Sequence, residues 1–145
     1  MKNTTTFACQ IGTTDSSAAI GLEIWLDHNK IFNTEHVLGT ENFHYEFNDN
    51  DSEHQLRFIM KHKLPQHTTV NTLGEIVNDA RLVINQLEFE EIELTQLFTD
   101  KAVYTHDFNG TQDEIEDQFF GEMGCNGTVS LQFTTPIYLW LLENM

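Results

Sequence analysis

The chain has 145 residues, 39% of them hydrophobic and 11% aromatic with eleven Phe, a composition that excludes intrinsic disorder and fits one domain with its own core. Seven Lys and Arg stand against 23 Asp and Glu, a net charge of −16 with His neutral. That field excludes nucleic acid and anionic membrane surfaces as partners, because affinity for phosphate groups comes from Lys and Arg.

The opening Met1-Lys2-Asn3-Thr4-Thr5-Thr6 has no apolar run of signal-peptide length, and no stretch approaches the ~20 apolar residues of a membrane-spanning helix. The N-x-Thr sequons at Asn3, Asn109 and Asn126 therefore read as loop chemistry. Cys9 and Cys125 are too few for a disulfide framework. A bridge between them is permitted, but two reduced, partly buried thiols are the expectation.

Thr6 to Ile11 reads as a first strand, followed by a loose loop from Gly12 to Ala19 rich in Gly, Asp and Ser. Ile20–Asp27 is a strand with Leu22, Ile24 and Leu26 on one face and Glu23, Trp25 and Asp27 on the other. His28-Asn29 is its turn into Lys30-Ile31-Phe32. Phe43–Phe47 and Glu53–His62 repeat the alternation on either side of an acidic loop, Asn48-Asp49-Asn50-Asp51-Ser52-Glu53. Lys63 to Asp79, punctuated by Pro65 and Gly74, reads as irregular.

Ala80–Ile84 opens another strand. From Leu87 to Leu94 the apolar parity switches between Phe89 and Ile92, which places a β-bulge or bend near Glu90-Glu91. Lys101–Phe108 is a strand ending at the turn dipeptide Asn109-Gly110. Helix is scarce, with a turn or two over Gln112–Phe120 and again over Ile92–Phe98. Thr128–Thr135 and Ile137–Leu142 are the last strands, and Pro136–Leu142 is apolar on both faces, as in a strand covered on both sides.

These elements predict an all-β fold, a single antiparallel β-sandwich of jelly-roll type with eight to ten strands and little helix. One domain spans residues 1–145, with 1–20 as N-terminal strand and loop and 136–145 as the apolar C-terminal strand. The expected core is Leu22, Ile24, Leu26, Phe43, Tyr45, Phe47, Leu56, Phe58, Met60, Leu82, Ile84, Val129, Leu131 and Phe133.

Gly-x-Ser-x-Gly, the P-loop, the dinucleotide fingerprint and the zinc-protease helix motif are all missing from the sequence, so no enzyme is expected. Cys125, near Gly124 and Gly127, is no evidence of a nucleophile, because seven scattered His make a chance pairing easy. Asp49, Asp51 and Glu53 alternate like the first ligands of a calcium loop. An EF-hand then needs Gly where His54 stands and a carboxylate where Met60 stands. A calcium site would have to pool Asp27, Asp49, Asp51 and Asp79 from several loops, against the simpler reading of a solvated hairpin tip. Trp25 beside Glu23 and Asp27 offers what sugar stacking needs, an apolar ring next to hydroxyl acceptors. It also fits a Trp covered by a loop. The second apolar face of Pro136–Leu142 is met either by a loop or helix that covers it or by another subunit. In the latter case Tyr138, Trp140 and Leu142 are the expected anchors of a protein interface, since aromatics dominate such contacts.

Leu22-Glu23-Ile24-Trp25-Leu26-Asp27 and Asp79-Ala80-Arg81-Leu82-Val83-Ile84 fit L-x-[VI]-x-[VL]-D and D-x-x-L-x-[VI]. In this the chain resembles the small calcium-dependent carbohydrate-binding β-sandwich modules of xylan-degrading enzymes. That resemblance implies a glycan ligand and a calcium cofactor. Tyr104–Gly110, Met123–Thr128 and the Tyr138–Met145 ending resemble small uncharacterised proteins of marine T4-like and cyanophage-type tailed phages. This second resemblance implies a virion setting: a non-enzymatic structural or accessory protein of capsid, neck or tail that binds other virion proteins or itself.

Overall fold

The computed structural model describes residues 4–50, 52–107 and 113–144. Asp51, Phe108 and the Asn109-Gly110 turn lie outside them. In chain order the strands begin with β1 (Thr4–Thr13), β2 (Gly21–Leu26), β3 (Asn29–Thr34), β4 (Glu41–Asn48) and β5 (Glu53–Lys61). A 3-10 turn over Pro65–His67 leads into the hairpin of β6 (Thr68–Val70) and β7 (Ile76–Asp79). Then come β8 (Leu82–Phe89), β9 (Ile92–Glu93), helix α1 (Thr95–Lys101), β10 (Val103–His106) and β11 (Ile115–Gln118). β12 (Glu122–Met123), β13 (Gly127–Thr134) and helix α2 (Ile137–Asn144) complete the chain.

Two antiparallel sheets face each other. One has the order β12-β8-β1-β4 with β9 folded back on β8, and the other the order β11-β10-β13-β5-β2-β3. The chain crosses from sheet to sheet between β1 and β2, β3 and β4, β4 and β5, β5 and β8 (by way of the β6–β7 hairpin), β9 and β10, β11 and β12, and β12 and β13, the wrapping of a jelly roll. The thirteen strands among the described residues exceed the expected eight to ten because β6, β7, β9 and β12 are pieces of two to four residues.

The core follows the alternation. Leu22, Ile24 and Leu26 of β2, Leu56, Phe58 and Met60 of β5, and Val129, Leu131 and Phe133 of β13 all point inward and are buried. Each such burial contributes ~1.5–3 kcal/mol. Phe7 of β1 sits within 6.3 Å, ring to ring, of Phe43, Phe58 and Phe89, and Phe89 meets Phe133 at 4.9 Å. Phe98 of α1 closes one end of the sandwich against Phe58 and Phe119. Phe43 and Tyr45, expected inside, are half-buried, because β4 is an edge strand whose flank is open.

Several local expectations are corrected. A bulge that was not expected lies at Gln86, which has φ 51° and is the extra residue between the β8 partners of Ala8 and Gln10. Of the bulge or bend expected at Glu90-Glu91, the chain makes the bend, a two-residue turn with both residues at positive φ and Phe89 paired to Ile92. The β2–β3 turn is Asp27-His28, one residue earlier than expected, since Leu26 pairs with Asn29. Within Gln112–Phe120, residues 115–118 form strand β11 rather than helix, and the helix expected near Ile92 starts at Thr95.

The largest correction is at the C-terminus. Residues 137–144 form α2, not a strand. Ile137, Trp140 and Leu141 are buried, an i, i+3, i+4 spacing, while Tyr138, Leu139 and Leu142 face outward. A short run apolar in both parities is ambiguous between a covered strand and a helix, and Pro136 just before the first turn starts the helix here.

Candidate functional site

The outer face of the six-stranded sheet carries the alternate residues that the core does not take. Trp25 of β2, Arg57 of β5 and Ser130 of β13 stand in one cross-strand row. Gln55 and Gln132 form the next row toward the Asp27-His28 turn. Beside them α2 lies along β13, and a groove of about 540 Å3 opens between them. Asp27, Glu53, His54, Gln55, Arg57, Gln132, Thr134 and Trp140 line it. A second depression of about 320 Å3, lined by Thr105, Glu116, Ser130 and Asn144, shares Gln132 and Trp140 with the first. Together they form a trough crossing β10, β13, β5 and β2, three inter-strand spacings or ~14 Å.

Asp27 organises the deeper end. It has φ 56°, a left-handed conformation that Asp tolerates better than most side chains. Its Oδ1 accepts from the Gln55 N–H at 2.9 Å, and its Oδ2 lies 2.7 Å from His54 Nδ1. His54 is itself 6% exposed, stacked on Phe133 at 5.4 Å and edge-on to Phe47. Arg57 Nη2 donates to the Asp27 carbonyl at 3.1 Å, while Arg57 Nε is buried without a hydrogen-bond partner. A buried donor left unmatched costs on the order of 1–3 kcal/mol.

The sequence-predicted residues divide. Glu23 and Trp25 are together, with Glu23 Oε1 accepting from Trp25 Nε1 at 2.8 Å and Oε2 from Lys61 at 3.0 Å. The Trp25 hydrogen bond first, and Lys61 next, hold the Glu23 carboxyl below its usual range. Trp25 does not line the trough. Its ring lies under Arg57 at 5.4 Å and Lys30 at 5.6 Å, so it braces the guanidinium by cation–π contact.

Of the four aspartates named for calcium, Asp27 and Asp79 do not converge. Asp27 is at the Gln55 end of β5, whereas Asp79 holds Lys63 and Thr68 beyond its Lys61 end, six residues or roughly 20 Å along the strand. Asp51 lies outside the described residues. Among the described residues no group of three or more His, Cys, Asp or Glu is arranged to hold a metal ion. Tyr138, Trp140 and Leu142 also separate, because the helix turns Trp140 inward to 7% exposure and leaves Tyr138 and Leu142 at 56% and 78%.

Sequence reasoning missed His54, Gln55, Arg57, Gln132 and Thr134. The alternation of β5 and β13 already placed Gln55, Arg57, Gln132 and Thr134 on the outward parity, and a row of amides and a guanidinium there was the available signal. His54 gave none, since its role comes from the Asp27 turn 27 residues away in sequence.

No described helix is long and apolar enough to cross a membrane. No family model matches the chain, and no curated protein matches it. Among solved structures it is similar to vCBM60 in complex with galactobiose, with a TM-score of 0.50 at 8% identity, covering 87% of this chain and 96% of the other. The likeness is of fold, that of a carbohydrate-binding β-sandwich.

Proposed function

We propose that this protein is a non-enzymatic glycan-binding β-sandwich whose ligand lies in the trough between α2 and the outer face of the six-stranded sheet. The observation that carries the reading is the convergence of Asp27, Gln55, Arg57, Gln132 and Thr134 on one groove walled by Trp140. Carboxylate, amides, hydroxyl and guanidinium supply donors and acceptors of both kinds, which a polyhydroxylated ligand requires, and the indole supplies an apolar wall. The fold shared with a module solved with galactobiose supports the class of ligand. The test is a glycan array followed by titration calorimetry on the strongest hit, with Gln132→Ala and Arg57→Ala as variants. Silence of the array, or affinity unchanged in both variants, removes the reading.

A second reading, a virion component docking on other virion proteins or on a second copy, draws on α2, where Tyr138, Leu139 and Leu142 are exposed side by side. Mass spectrometry of purified phage particles tests it, and absence of the chain from the particle rejects it.

A further inference from the structure

Away from the trough, beside the start of β13, Cys125 Sγ lies 2.7 Å from His106 Nδ1, and His106 Nε2 lies 3.3 Å from Asp117 Oδ2. These residues come from three segments: the turn before β13, the end of β10, and the middle of β11. Tyr104 fixes the first two. Its hydroxyl donates to the Cys125 carbonyl and accepts from the Cys125 N–H at 3.0 Å, and its ring stacks on the His106 imidazole with centroids 4.0 Å apart. Gly127 lets β13 approach closely here, since a Cβ on it would sit 2.1 Å from the Thr105 carbonyl oxygen. The thiol is half-buried and forms no disulfide, and the His106 side chain is 19% exposed.

The geometry points to Cys125 as a reactive thiol, served by His106 as its base, that exchanges with small neutral disulfides. Nucleophile, base and orienting carboxylate stand in contact order, the arrangement that activates a cysteine. With Asp117 opposite Nε2, Nδ1 is the ring nitrogen that faces the Cys125 S–H. Burial, the largest effect, pushes the Cys125 thiol up, against a lowering hydrogen bond from Tyr104, so the resting sulfur keeps its proton. The charged groups around it are Lys63, which lowers, and Asp107 and Asp79, which raise.

In the exchange, the Cys125 proton passes to His106 Nδ1 as Sγ attacks one sulfur of the disulfide. The S–S bond breaks, a Cys125 mixed disulfide forms, and the leaving thiolate takes the proton from the imidazolium and departs as a thiol. Cys125 is oxidised and the incoming disulfide is reduced, with no other reactant. A neutral disulfide is favoured because the chain carries a net charge of −16.

The probe is 4,4′-dithiodipyridine, followed by absorbance on the intact protein at neutral pH. One thiol reacts fast, and peptide mapping places it at Cys125. Cys9, at 4% exposure, stays silent until the fold opens. His106→Gln slows the fast phase by about 100-fold, the scale of general-base assistance. In that variant the rate simply climbs with pH, as for an unassisted thiol. Asp117→Asn, at a side chain 60% exposed, slows it by less. Thermal melts establish that each variant is folded. Equal rates in the wild type and His106→Gln overturn the proposal, as do equal rates in Asp117→Asn if His106→Gln does not fold. First labelling at Cys9 overturns it too.

Discussion

His54 Nδ1 lies 2.7 Å from Asp27 Oδ2, tying a histidine stacked in the core to a carboxylate at the mouth of the trough. The pair joins the start of β5 to the β2–β3 turn, and Gln55 N–H binds the other oxygen of the same carboxylate. Asp27→Ala strands both donors. A loss of ~2 kcal/mol, or roughly 6 °C in melting temperature, is expected in thermal unfolding. Asp27→Asn keeps an acceptor for the Gln55 N–H and should lose less. Equal losses in the two variants would show that the Gln55 bond contributes nothing.

Acid stability has a sign that follows from Asp79 and Glu23. Burial, the largest single effect, raises the Asp79 carboxyl, but hydrogen bonds from Lys63 and Thr68 together with the charges of Lys63 and Arg81 leave it lowered. Glu23 is lowered by Trp25 and then Lys61. A carboxyl with a depressed native pKa stabilises the fold above its unfolded value, about 4. That contribution is lost as pH falls through the native value. The melting temperature should therefore be level above about pH 5 and drop below about pH 4, with a shallower drop in Glu23→Gln. An acid limb identical in wild type and Glu23→Gln would remove Glu23 from the account.

The alkaline side runs the other way. Burial pushes the Cys9 thiol up to about 12 and, despite a hydrogen bond to the Cys125 carbonyl, raises the Tyr104 phenol as well. The unfolded thiol ionises near about 8.5 while the native one does not. Stability is thus full below that pH and is lost as pH climbs toward the native value. Cys9→Ala should flatten the early part of the decline in a series of melts from pH 8 upward. Tyr104 continues to contribute at higher pH.

Much of the fold was legible because period-two alternation in β2, β5 and β13 assigns each residue to core or surface without knowledge of the partner strands. What failed has a common cause: short segments whose conformation depends on tertiary contact. Glu90-Glu91 forms a primed turn without the usual Gly or Asn. The bulge at Gln86 is set by the register against β1. The trough was less legible than the fold, because α2 supplies its wall and α2 reads as a strand when only parity is considered. Glu23 and Trp25 are hydrogen-bonded neighbours on one strand face, yet the cations over the indole come from β3 and β5, which no local pattern reveals.

On the calcium-assisted form of the glycan reading, a cation in the larger depression would have to use Asp27 and Glu53, the two carboxylates that line it. A cation bound there only in the native state would raise stability by about 2.7 kcal/mol at a hundredfold excess over its dissociation constant. On the calcium-assisted form of the glycan reading, millimolar calcium raises the melting temperature relative to chelator, and Asp27→Asn abolishes the rise. An unmoved melting temperature removes calcium and leaves the amide and guanidinium contacts as the basis of binding.

Gly127 separates backbone from side-chain requirements. A methyl group there would meet the Thr105 carbonyl at 2.1 Å, a backbone atom that moves only with β10. Gly127→Ala should cost about 3 kcal/mol, the upper range of overpacking. The shift in β10 would also carry His106 away from Cys125. Loss of stability together with loss of the fast thiol phase is the expected result in this variant, and a native melting curve would mean that β13 relaxes without β10.

Trp140 and Leu142 give the sharpest division between core and surface roles on α2. Trp140 lies edge-on to Phe133 with centroids 6.2 Å apart and is 7% exposed, whereas Leu142, two residues on, is 78% exposed. Trp140→Ala should cost about 3 kcal/mol, as truncation of a buried indole does, and should widen the trough it walls. Leu142→Ala should stay within about 0.5 kcal/mol of wild type in chemical denaturation. Glycan affinity should fall in the first variant and hold in the second. If instead Trp140→Ala unfolds at the wild-type midpoint, α2 is not docked on β13 in solution, and the apolar wall of the trough is lost with it.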